Sequence, residues 1–386
     1  MTAADNPAPI GLAERQARLA ALRSLMDEAG LAAVLLGSTT SLLYFTGLAW
    51  SPSERFTGAI VHAGGALEYV CPGFERAKLS GAVGVTGDIL TWEEDDNPHA
   101  LIASRLRPGA RLGLDDQIAL FVYLALARVL PPERLGDAGP LIHGLRSRKS
   151  AAEIALMSRA KAITLEVQRR AWKSLAEGVR TSEVARFIDS EHRALGGSDS
   201  TFCIVSFGAD SALPHGGETD RALREGDVVL IDTGCQIDGY NSDITRTYVF
   251  GEPPPRLREI WQLEKDAQAA AFEAARLGAP CESVDAAARA VIARAGLGPD
   301  YRLPGLPHRT GHGIGLDLHE APNLVRGDRT ALAPGMCFSN EPMIVVPQAF
   351  GVRLEDHFHM TQEGPRWFTQ PSHSLDAPFA NAPTFA

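Results

Sequence analysis

Apolar side chains at Leu12, Leu19, Leu22, Leu25, Met26 and Ala29 recur at the spacing of an amphipathic helix over 12–29, and Gly30 supplies its stop. The short apolar run AAVLLG (32–37) follows as a buried strand. GAIVHAG (58–64) and LEYVCP (67–72) read as further strands about a turn at Gly64-Gly65. RLGLDD (111–116) predicts another strand, and the apolar stretch 117–130 a helix. Strands alternating with helices in this way predict a compact α/β domain ending near residue 145.

Pro131-Pro132 and GDAGP (136–140) then break the pattern, and a basic stretch from Arg146 to Lys149 leads into new helices. Ser150 and Glu153 form an S-x-x-E capping box for a helix running to about Leu175, and Thr181 is expected to cap the next one, to about Leu195. From 201 onward short β runs dominate, interrupted by predicted helices at 254–277 and 282–295. The chain after Pro371 reads as an irregular terminal arm. At 386 residues the chain exceeds one ordinary core, and we divide it into domains at 1–147 and 148–386.

Charge and cysteine content narrow the partners. A formal net charge of −10 argues against nucleic acid or an anionic membrane, and no apolar run is long enough for a membrane helix. The N-terminal stretch lacks the basic start and apolar core of a signal peptide, and five widely spaced cysteines without a C-x-x-C pair suit a reducing compartment. A cytoplasmic protein is the expectation.

The chemistry lies in the second half. Asp232 in VVLIDTG, Asp243 in YNSDITRT, His312 in TGHGIGLDLHE, Glu341 in FSNEP and Glu355 in GVRLED are hard or borderline metal ligands. Four carboxylates and one imidazole suit two divalent first-row cations sharing carboxylates, which can hold a bridging hydroxide. A single acid in an apolar strand, such as Asp232, could instead cap a turn, but four with a histidine argue for cations. Strand periodicity puts Asp243, Thr245 and Thr247 on one face, and Arg353, Glu355, His357 and His359 on another. Gly311, Gly313 and Gly315 around His312 suggest a segment running close to substrate or metals.

Other chemistries fit less well. The glycine spacing is wrong for G-x-G-x-x-G, His319-Glu320 lacks the second histidine of a zincin, and there is no G-x-S-x-G elbow. His215 and His319 each read either as ordinary surface or core histidines or as proton carriers near a metal site. His308, His357 and His359 are balanced between the same two readings.

Asp232-x10-Asp243, GHGIGL-x-x-HE, the NEP Glu341 and the GVRLED Glu355 together resemble the pita-bread metallopeptidases, which include Xaa-Pro dipeptidase, aminopeptidase P, methionine aminopeptidase and the metal-free creatinases. The N-terminal half and RKSAAEI resemble the creatinase-type N-terminal domain of the first two. The resemblance implies an α/β creatinase-type domain followed by an α+β pita-bread catalytic domain, a homodimer, and two divalent ions: Mn²⁺ first, with Co²⁺ or Zn²⁺ as alternatives. Asp232 would bind one ion, His312 and Glu341 the other, and Asp243 and Glu355 both. Glu341 would take the proton of the attacking water, and His215 and His319 would contact the substrate at the leaving nitrogen and carbonyl. Thr245 and Arg353 would fix the carboxylates.

The implied reaction is hydrolysis of the Xaa-Pro bond in dipeptides by a metal-bridging hydroxide, on a small peptide with proline second. Asn323 departs from the pattern, since many prolidases carry there an arginine for the dipeptide carboxylate; either longer peptides are accepted, or another cation such as Arg55 of a second subunit substitutes. The alternatives are an Xaa-Pro aminopeptidase, a lyase or hydrolase of small molecules on the same scaffold, and a non-catalytic binding module.

Overall fold

The computed structural model describes residues 5–380; the last part of the arm expected after Pro371 lies outside them. The described residues pack as two compact units, one Ile10–Arg146, the other 147–380 together with 5–9. Asn6 ties that leading segment to the second unit, donating to the Gly196 carbonyl at 2.9 Å and accepting from Arg159 at 2.9 Å. Among the described residues no helix is long and apolar enough to cross a membrane.

In the first unit the helix Leu12–Ala29 ends where Gly30 takes the left-handed conformation at φ 66°, as its sequence predicts. Strands β1 (Ala33–Leu36), β2 (Gly58–His62), β3 (Leu67–Pro72), β4 (Asp88–Trp92), β5 (Leu112–Leu114) and β6 (Leu135–Asp137) form one mixed sheet. Their order is β4-β3-β2-β1-β5-β6. Leu35, Ile60, Val70 and Leu112 of this sheet close a core with Ile102 and Leu126 from flanking helices.

Residues 131–140, expected to break the strand and helix pattern, instead continue it. Leu135, Gly136 and Asp137 pair in parallel with Leu112, Gly113 and Leu114, and the helix Gly139–Arg146 follows at once. Glycines and prolines there serve a tight strand-to-helix turn, with the Gly139 amide donating to Asp137 Oδ1 at 2.7 Å.

The second unit opens on the helix Ala151–Ser174, whose capping box is present: the Glu153 amide donates to Ser150 Oγ and the Ser150 amide to Glu153 Oε2. Thr181 does not cap the next helix, Thr181–Ala194; it is the first helical residue. Arg180 holds the cap position, its amide donating to Glu183, and the Ser182 amide donates to Asp220 Oδ1 from a distant loop. Strand β7 (Phe202–Phe207) is the edge of a sheet with β8 (Val228–Gly234) and β11 (Ile244–Val249), ordered β11-β8-β7. A small ribbon of β9 (Gln236–Ile237) and β10 (Tyr240–Asn241) links the last two. Helices Pro255–Ala274 and Cys281–Arg294 follow.

A second sheet has the order β13-β12-β14-β17-β18, from β12 (Gly311–Gly313), β13 (Glu320–Leu324), β14 (Cys337–Asn340), β17 (Asp356–Thr361) and β18 (Gly364–Trp367). Strands β15 (Met343–Val346) and β16 (Phe350–Arg353) form a separate hairpin. GVRLEDHFHM is therefore not one strand with one face. β16 and β17 belong to different sheets, and Leu354 and Glu355 bridge them. His359, placed by periodicity beside Glu355, lies opposite Cys337 in β17 and stacks near Phe368.

Candidate active site

Each sheet brings acids to the same place. Asp232 lies in β8 directly opposite Thr245 of β11, and Asp243 sits just before β11. His312 is the middle residue of β12. Glu341 follows β14, and Glu355 separates β16 from β17. Backbone bonds fix these residues: the Glu355 amide donates to the Thr245 carbonyl of the other sheet at 3.1 Å, and the Glu341 amide to the Thr310 carbonyl beside β12 at 2.8 Å.

The glycines around His312 answer to packing rather than to the site. A Cβ on Gly311 would lie 2.1 Å from the Ser339 carbonyl oxygen, and one on Gly313 would lie 2.5 Å from that of Glu320. At these two positions, on either side of His312, β12 leaves no room for a side chain.

The side chains form one connected set. His312 Nδ1 donates to the Gly313 carbonyl at 2.9 Å, which leaves Nε2 facing the acids. Nε2 lies 3.0 Å from Glu341 Oε1 and 3.8 Å from Asp243 Oδ2. Ser339 Oγ donates to Glu341 Oε1 at 2.9 Å and accepts from the His312 amide. Thr245 Oγ1 donates to Glu355 Oε2 at 2.7 Å and accepts from Arg353 Nε at 3.0 Å. Arg353 Nη2 bonds Asp232 Oδ2 at 2.5 Å, and its Nη1 reaches the Pro214 carbonyl, so it also holds the turn carrying the exposed His215.

Electrostatics show what this crowding demands. Burial, then the charges of Glu355 and Asp232, push the Asp243 carboxyl well above its ordinary range. Burial and the neighbouring Glu341 and Asp232 charges do the same to Glu355, and burial raises Asp232 despite Arg353. Burial works against ionisation of Glu341 too, but the His312 bond and charge outweigh it and hold this carboxyl below the usual range. Meanwhile Asp232 Oδ1, Asp243 Oδ1 and Glu355 Oε1 are buried without a hydrogen-bond partner among the described residues. Orphaned, mutually repelling carboxylate oxygens are the arrangement a divalent cation satisfies.

Three groups of side chains are close enough to hold a metal ion: Asp243 with His312 and His319, Asp243 with Glu355 and His357, and His312 with Glu341 and Glu355. Four of the five expected ligands enter these groups. Asp232 enters none; one of its oxygens bonds Arg353. The groups add two imidazoles read as proton carriers or left open. His319 packs edge-on against His312 with ring centroids 4.1 Å apart, and His357 Nε2 lies 3.9 Å from Glu355 Oε1. His319 is the exposed member of a buried cluster, which gives the site an open side.

Sequence reading missed the support behind these groups. Arg246, between Thr245 and Thr247 in β11, is fully buried and bonds Asp356 Oδ1 at 2.7 Å and the Glu355 carbonyl at 2.8 Å. Gln268 donates to the Leu354 carbonyl at 3.0 Å from the helix Pro255–Ala274. A buried glutamine or arginine carries no period of its own. The one available signal was Arg246 inside an otherwise apolar, β-branched run.

The sequence pattern of metallopeptidase family M24 matches residues 155–362, more than half of the chain. The chain belongs to metallopeptidase family M24. The Creatinase/Prolidase N-terminal domain matches residues 18–148, so this M24 member has the two-part architecture of an α/β creatinase-type domain and an α+β pita-bread catalytic domain. It is 38% identical over 353 residues to the probable dipeptidase PepE of Mycobacterium tuberculosis, covering 90% of this chain and 92% of the relative. It is 33% identical to the Xaa-Pro dipeptidase of Lactobacillus helveticus, covering 88% and 93%. The crystal structure of dipeptidase PepE from Mycobacterium ulcerans superposes with a TM-score of 0.88 at 35% identity, covering 95% of this chain and 99% of that one. Membership of M24 implies divalent metal ions, and the Asp, His and Glu clusters of this M24 chain fit them.

Proposed function

We propose that this protein is a dinuclear metal-dependent Xaa-Pro dipeptidase, with Asp232 on one ion, His312 and Glu341 on the other, and Asp243 and Glu355 shared. The observation that carries the reading is the gathering of the Asp243, Glu341 and Glu355 carboxylates about His312, with buried oxygens of Asp243 and Glu355 left without a hydrogen-bond partner. Dipeptidase relatives at 30–38% identity along most of the chain support it. Two divalent cations held by these residues, Mn²⁺ first with Co²⁺ or Zn²⁺ as alternatives, would activate water near neutral pH and polarise a carbonyl.

The chain's own groups do the rest. Glu341 accepts the proton of the attacking water. His319, held down to about 4 by burial and by His312, is neutral near pH 7 and donates from its ring N–H to the oxygen of the attacked carbonyl. His215, on the turn that Arg353 holds, is the group we assign to the leaving nitrogen. The water's hydroxyl ends on the carbonyl carbon, the C–N bond breaks, and the proton passes to the prolyl nitrogen. That nitrogen offers no N–H in the substrate, and this chemistry requires none. Five unpaired cysteines support a cytoplasmic setting, and we read the protein as a homodimer.

Mn²⁺-loaded protein offered Ala-Pro, Ala-Pro-Ala and Ala-Ala tests this. Cleavage of Ala-Pro alone is expected. Comparable cleavage of Ala-Pro-Ala would favour an Xaa-Pro aminopeptidase, and no cleavage of any would overturn the peptidase reading. Sedimentation velocity checks the dimer.

A further inference from the structure

His357 has the setting of a metal ligand, although it is not among the five expected ones. It lies in β17 directly opposite Ser339 of β14, so the two side chains leave the same face of the sheet. On that face Ser339 Oγ touches Glu341 and the His312 amide. The neighbours of His357 in β17 take the other face: Asp356 bonds Arg246, and Phe358 packs on Phe338 with ring centroids 5.6 Å apart. Alternation along the strand therefore turns His357 toward the acids.

There the ring is fully buried, its Nε2 3.9 Å from Glu355 Oε1, and neither atom meets a hydrogen-bond partner among the described residues. That separation is too long for a hydrogen bond and close to twice the roughly 2.1 Å bond of a first-row cation to nitrogen or oxygen. Asp243 Oδ1 is buried in the same unpartnered way, and Asp243, Glu355 and His357 offer ligand atoms that all lie within 4.8 Å of one another. A core imidazole is ordinarily satisfied by its surroundings, as His192 is by Ser200 and Thr164. His357 Nε2 has instead an unpartnered carboxylate oxygen for a neighbour.

Ligand count and charge agree with this. Asp232, expected on the ion that His312 does not hold, gives one oxygen to Arg353. Four carboxylates already match the charge of two divalent ions, so a further donor is best neutral, as an imidazole is. The His312 and His357 ring centroids are 6.4 Å apart, and the two residues never share a metal-holding group.

We propose that His357 is a metal ligand of this protein, joining Asp243 and Glu355 on the ion that His312 does not hold. Each ion then has one imidazole. Nitrogen donors raise the preference for Zn²⁺ and Co²⁺ over Mn²⁺ relative to an all-carboxylate set, so His357 also tunes which metal that position takes. The proposal rests on the reading of the site as dinuclear.

The test titrates metal-free wild type, His357→Leu and His357→Gln with Co²⁺ and, separately, with Mn²⁺ in a calorimeter, and records the visible spectrum of bound Co²⁺. Wild type should bind two Co²⁺ per chain. In His357→Leu one of the two positions should weaken for Co²⁺ by at least roughly a hundredfold, beyond the loss expected of a group that only supports a ligand. The loss for Mn²⁺ should be smaller, and the Co²⁺ bands, which report donor atoms, should change. His357→Gln, which offers an amide oxygen, should regain Mn²⁺ binding more than Co²⁺ binding.

Melting of the metal-free proteins shows which variants fold. If His357→Leu does not, His357→Gln decides alone, through an unequal loss of the two metals. Unchanged affinities with an unchanged Co²⁺ spectrum, or equal losses of Co²⁺ and Mn²⁺, would make His357 a packing residue and leave the dinuclear reading intact. A wild type that binds fewer than two Co²⁺ removes that reading, and the proposal with it.

Discussion

Arg353 and Asp232, 121 residues apart in the chain, meet at 2.5 Å between buried side chains. The same guanidinium bonds Thr245 Oγ1 and the Pro214 carbonyl, so one side chain orients an acid, the hydroxyl that holds Glu355, and the His215 turn. Arg353→Lys keeps the charge but cannot span three acceptors with a planar fork. We expect metal affinity to fall roughly ten- to a hundredfold, the range for losing a group that orients ligands, with the fold retained. Metal titration by calorimetry checks this; unchanged affinity would remove Arg353 from the site's support.

Asp243 belongs to two of the three potential metal-holding groups, and its neighbours already push its carboxyl toward protonation. Asp243→Asn relieves that repulsion but removes an anionic oxygen shared between ligand groups. The metal-free variant should therefore melt no lower than metal-free wild type, while bound metal falls and turnover drops at least about a hundredfold. Elemental analysis and scanning calorimetry separate the two effects. Two ions retained at wild-type activity would end the case for a shared ligand at this position.

Sequence reading reached the element types and the acids, because burial leaves periodic apolar runs and because acids inside such runs are conspicuous. It failed where tertiary pairing decides. Residues 135–137 are too short and glycine-rich to announce a strand, yet β5 offers them a parallel partner. Thr181 has a capping residue's chemistry, yet Arg180 takes the position and Asp220, 38 residues from Ser182, satisfies the helix. The period-two reading across GVRLEDHFHM failed because Leu354 and Glu355 cross between sheets, which no local pattern signals. Asn323 accepts a bond from Arg309, fourteen residues away, only because the β12–β13 turn brings them together.

Arg246 and Asp356 are both fully buried and joined at 2.7 Å, with further bonds from Arg246 to the Thr245 and Glu355 carbonyls. Removing one partner strands the other. Arg246→Met should destabilise the second unit by about 3–5 kcal/mol, the range for breaking a buried pair, and should lower metal affinity through the Glu355 backbone. The double variant Arg246→Met with Asp356→Leu should regain part of the stability without regaining the metal. Urea unfolding of metal-free protein checks the first expectation and metal titration the second. Equal losses in single and double variants would mean that the charge pair is not the source.

His192 supplies a pH dependence away from the metal-holding acids. Its ring is fully buried, Nδ1 bonded to Ser200 Oγ at 2.9 Å and Nε2 to Thr164 Oγ1 at 3.1 Å, and burial pushes its pKa down to about 4, with Asp189 pulling the other way. The folded value lies below the unfolded one of about 6.5, so the folded state binds fewer protons between the two. Its contribution to stability is fully present above about pH 6.5 and is lost as pH falls toward 4. The loss by pH 4.5 is about 2–3 kcal/mol. His192→Gln retains hydrogen-bonding groups but cannot take up a proton. Unfolding free energies of metal-free protein at pH 7 and pH 4.5 should therefore differ less in the variant by about that amount. Carboxylates titrating elsewhere are common to both proteins and cancel in the comparison. Identical pH dependences would mean that His192 reaches solvent in the native state and that its pKa is not depressed by burial.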